Sequence, residues 1–152
     1  MSQEFIERMF ADRDSKQHLL SRKRQQELLR QSKVSALAST IWREIESVLL
    51  GPIESFNERA EKPLIIRRQI YCLHLVDADI HGGFSVKFDP ACGVISYGSL
   101  FSLHETRNLI VNIDEEFRYS IHRATLDQCE IKIENVPEVV LGEFLKSLLK
   151  PL

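Results

Sequence analysis

Glycine and proline are scarce: 6 and 5 in 152 residues, with only Gly51 and Pro52 before residue 63. That scarcity excludes a collagen repeat and a low-complexity linker. There are 3 cysteines (Cys72, Cys92 and Cys129) and no C-x-x-C spacing, which argues against both a disulfide framework and a zinc site. No apolar run approaches the roughly 18 residues of a membrane span, and Glu4 and Glu7 stand where a secretory signal would be basic. The expectation is a cytoplasmic chain with no membrane partner. Phosphate-binding loops, dinucleotide fingerprints, nucleophile elbows and H-E-x-x-H are missing, so no motif points to an enzyme. No cofactor is expected.

An apolar fraction of 43% is ample for a core in a chain of this length. Residues 1–62 are rich in Gln, Glu, Arg and Leu, a helical composition. Val34, Leu37, Ala38, Ile41, Trp42, Ile45, Val48 and Leu49 fall within about 140° of a helix at about 100° per residue, so residues 34–50 should pack on a core. Gly51-Pro52 reads as their stop. Upstream, Asp12 and Asp14 should interrupt a short opening helix, and Asp14 with Gln17 reads as a capping box that starts a second one.

From residue 63 the pattern switches to period two. Phe84, Val86 and Phe88 alternate with Ser85 and Lys87; Leu109, Val111 and Ile113 with Asn108 and Asn112; Phe117, Tyr119 and Ile121 with Arg118, Ser120 and His122. Cys129, Ile131 and Ile133 alternate with Glu130 and Lys132. Leu64–Val76, more apolar, reads as one central strand. Asn135, Pro137 and Glu138 open a last helix whose stripe is Val140, Leu141, Phe144, Leu145 and Leu148. The fold class is α+β: an antiparallel meander of five or six strands, one face covered by helices, preceded by a long helical arm. The expected division is an arm over 1–33 and a body over 34–152.

Charge is unevenly spread. Residues 16–33 hold six basic side chains against Glu27 alone, whereas residues 34–152 hold 12 basic and 17 acidic ones. A basic arm on an acidic body suits a binding protein. Leu19 and Leu28 face opposite ways around the helix, as do Leu20 and Leu29, and Phe5, Ile6, Met9 and Phe10 form an apolar hook. These eight residues are the expected contacts to a protein partner or a second copy of the chain. The alternative is a nucleic-acid module using Arg22, Lys23, Arg24, Arg30 and Lys33 for phosphate contact. A second alternative is a metal-dependent enzyme using Asp77, Asp79 and His81, which share one side of an extended segment. A polar strand end entering Gly82-Gly83 accounts for the same residues without a metal.

Overall fold

A computed structural model describes residues 2–77, 82–100 and 106–149. Two helices, α1 (Gln3–Ala36) and α2 (Ala38–Arg59), precede seven strands. These are β1 (Ile65–Gln69), β2 (Cys72–Val76), β3 (Gly83–Asp89), β4 (Val94–Ser99), β5 (Arg107–Ile113), β6 (Tyr119–Arg123) and β7 (Glu130–Ile131). A 3-10 turn (Ile133–Asn135) then leads into α3 (Val136–Leu148). The strands pair antiparallel in sequence order, a simple meander.

Alternation decides the two faces. Leu73, Leu75, Val86, Ile95, Leu109, Val111 and Ile121 point to one side and are buried. They meet Ile41, Ile45, Leu49 and Ile53 of α2 and Val136, Val140 and Leu141 of α3. On the opposite face Lys87, Asn108 and Glu130 are exposed, and Asn112 and His122 half-buried. Burying one face and wetting the other is what a period-two pattern requires.

The helices depart from expectation in two places. Asp12 and Asp14 do not interrupt α1: Asp14 pairs with Arg13 at 3.5 Å in solvent, and an exposed Asp costs a helix only a few tenths of a kcal/mol. Nor does Gly51-Pro52 end α2, which continues to Arg59. Leu49 and Ile53, both fully buried, flank the proline, and burying two such side chains offsets the ~3 kcal/mol a mid-helix proline costs. The break falls instead at Leu37, a single non-helical residue between α1 and α2.

The strands differ too. Leu64–Val76 is a hairpin at the sheet edge, not one central strand: Ile70 and Tyr71 form its turn, with Ile70 exposed and Tyr71 at φ 55°. Tyr71 is held by its carbonyl, which accepts from the Phe88 N–H at 2.8 Å, and by an edge-on contact with the Phe88 ring. Phe117 is not an inward strand residue but an exposed turn residue at φ 61°. Asp114 shapes that turn, its Oδ1 accepting from the Glu116 and Arg118 N–H groups at 2.9 Å each. Ile133 has left the last strand for the 3-10 turn.

Candidate functional site: the N-terminal arm

Every residue from Gln3 to Leu29 is exposed. At 1.5 Å per residue this stretch of α1 is about 40 Å long. Ser2 caps it, its hydroxyl accepting from the Phe5 N–H at 3.3 Å, and Glu4 sits in the first turn where the helix dipole favours an acid. All eight apolar residues named above lie on this arm, between 42% exposed (Ile6) and 64% exposed (Leu20). Among the described residues, nothing else on the arm buries them.

The foot of the arm is built around Arg30. Its guanidinium donates to the Val111 carbonyl at 2.7 Å and to the Cys92 carbonyl at 2.6 Å. It also pairs with Glu27 at 2.6 Å, which draws the Glu27 carboxyl below the usual carboxylate range. Sheet topology explains the need. β4 pairs with β5 only as far as Val94↔Ile110, so the Val111 carbonyl lies beyond the regular ladder, and a buried carbonyl requires a donor. Val34, one turn on, is fully buried. Both rest on Gly93, which has φ 68° and where a Cβ would stand 2.6 Å from Arg30 Nη1.

The basic candidates are therefore divided. Arg30 serves the body's own carbonyls, and Lys33 lies over the Phe117 ring at 5.4 Å. Arg22, Lys23 and Arg24 are exposed, but three consecutive helical residues point in directions about 100° apart. They surround the arm instead of lining one face. By contrast, Phe5, Ile6, Met9, Phe10, Leu20 and Leu28 share an arc of roughly 140°. Arg13 stacks on Phe10 at 4.8 Å at the edge of the hook.

Asp79 and His81 lie outside the described residues. Among those described, no group of three or more His, Cys, Asp or Glu side chains is placed to hold a metal. Cys72 and His74 share the outer sheet face, but burial pushes the Cys72 thiol up, the opposite of what an activated nucleophile requires. Cys92 is raised by burial and then by Asp89.

One feature was not legible from spacing. A cavity of ≈ 690 Å³ opens between α3 and the ends of β3 and β4. Phe84 and Phe144, stacked at 4.8 Å, form part of its wall, and Arg107 and Glu143, paired at 3.4 Å, also line it. It joins residues some 60 apart in sequence, so only the folded topology assembles it. Its described lining holds no histidine or cysteine.

Among the described residues no helix is long and apolar enough to cross a membrane. No protein-family model, curated protein or solved structure matches this chain, so the arm's role rests on its own chemistry.

Proposed function

We propose that this is a non-enzymatic binding or assembly protein that engages a protein partner, or a second copy of itself, through the N-terminal arm. The observation that carries this reading is the exposed stretch Gln3–Leu29 with its eight solvent-facing apolar side chains. Each is worth about 2 kcal/mol when covered, and clusters of large apolar side chains on an exposed helix mark interaction surfaces. The body holds the arm's foot with Arg30 and Val34 and leaves the rest free, as a presented binding element requires.

The test replaces Phe5, Ile6, Met9 and Phe10 with serine in the full chain. Self-association by sedimentation velocity, and protein capture by the tagged chain, should fall together or singly by at least about tenfold, the effect of removing a cluster of apolar anchors. A wild-type chain that is monomeric and captures no protein would sink the proposal.

Nucleic-acid binding is the second reading, favoured by the exposure of Arg22, Lys23 and Arg24. It predicts binding that weakens steeply with salt and disappears when these three become glutamate. Absence of a mobility shift at low salt with single- and double-stranded probes would end it.

A further inference from the structure

We propose that the arm's occupant is a second copy of this chain, with the two arms packed antiparallel. The inference rests on the arm being an interaction element and adds which partner it takes and in which direction.

The apolar residues form three clusters: the tip (Phe5–Phe10), the middle (Leu19, Leu20) and the foot (Leu28, Leu29). Phe10 and Leu28 share the stripe face and stand nine positions to either side of residue 19. Two arms crossing level with residue 19, where Leu20 faces the seam and Leu19 points away from it, therefore bring Phe10 of one copy to Leu28 of the other, at both ends. Parallel arms would equally set tip on tip and foot on foot, so apolar spacing alone allows either direction.

Charge decides between them. Residues 1–15 carry four acidic and two basic side chains, and residues 16–33 six basic and one acidic. A parallel pair places the basic halves side by side. An antiparallel pair sets each acidic half against a basic one, twice, with Asp14 of one copy opposite Arg24 of the other. Such complementarity selects orientation and register, and exposed charges act within about 10 Å at moderate salt.

Reach and area agree. The tip of a continuous helix stands about 30 Å beyond Arg30, too far to cover its own foot. Six stripe residues exposing roughly 100 Å² each, on both arms, put on the order of 1,200 Å² at stake, the lower edge of specific interfaces.

Sedimentation equilibrium of the full chain at low salt tests this, with three variants. The wild type forms a dimer. Changing Arg22, Lys23 and Arg24 to glutamate sets two acidic halves against each other and weakens the dimer roughly tenfold or more. Adding Asp12→Lys and Asp14→Lys to that variant restores association, because a basic tip now meets an acidic foot. Parallel arms would gain nothing from the second change, so failure to restore overturns the antiparallel arrangement. Asp12→Lys with Asp14→Lys alone should also weaken the dimer. A wild type that stays monomeric at about 100 µM, a concentration at which even weak dimers populate, overturns the proposal outright. If that monomer still captures a protein through the hook, the broader reading stands; if it captures none, both fail.

Discussion

Gly93 and Arg30 show how one residue fixes where an element leaves the body. Gly93 occupies the left-handed region at φ 68°, and a side chain there would meet the Arg30 guanidinium. Gly93→Ala should destabilise the fold by about 2 kcal/mol, from the backbone penalty and the displaced arginine together. Arg30→Ala should cost a similar amount, about 1–3 kcal/mol, because it strips donors from the Val111 and Cys92 carbonyls. The two share a contact, so in urea denaturation the double variant should fall short of the sum. Full additivity would contradict this view of the foot. The neighbouring Glu27 has a carboxyl whose pKa is lowered in the fold, chiefly by its bond to Arg30. Its contribution is therefore present above the ordinary carboxylate range and lost as pH falls through the lowered value. Since Glu27 is half exposed, that contribution is small. Arg30→Ala should remove this acid-side dependence.

At the scale of elements, α2 is the informative one. It runs through Gly51 and Pro52, and a Cβ at Gly51 would meet nothing within 4 Å. Gly51→Ala should therefore stabilise the protein by about 0.5–1 kcal/mol, read as a raised urea midpoint. A loss of stability would mean that Gly51 acts as a helix stop after all. Strands β3, β5 and β6 were legible because a one-sided sheet enforces strict alternation, as Phe84, Val86 and Phe88 show. The exposed arm was legible as well, since no continuous stripe runs from Val34 back through Arg30 and Glu27. The hairpin at Ile70–Tyr71 was not, because its turn uses apolar residues held by Phe88 and not by local turn chemistry. Leu37 gives no Gly or Pro signal, and Pro52 gives a false one that tertiary burial overrides. Arg30 counted as one more basic residue until the fold supplied its carbonyl partners.

For the whole molecule, the near-neutral total charge conceals three regions in series: an acidic tip, a basic half-arm and an acidic body. In the body, α2 and α3 cover one sheet face, and the buried Glu46 pairs with Arg68. The arm has no such cover among the described residues. Its apolar residues face solvent along some 40 Å of helix, and helices of this kind draw most of their stability from packing. Hence the amides of residues 7–29, past the unpaired first turn, should report directly on whether the arm is covered. The decisive measurement is hydrogen exchange across the arm in the full chain isolated under native conditions. Binding through the arm predicts slow exchange from Glu7 to Leu29, approaching that of α2, and loss of this protection when Phe5, Ile6, Met9 and Phe10 become serine. Fast exchange in the unaltered chain, unchanged by the substitutions, would contradict it.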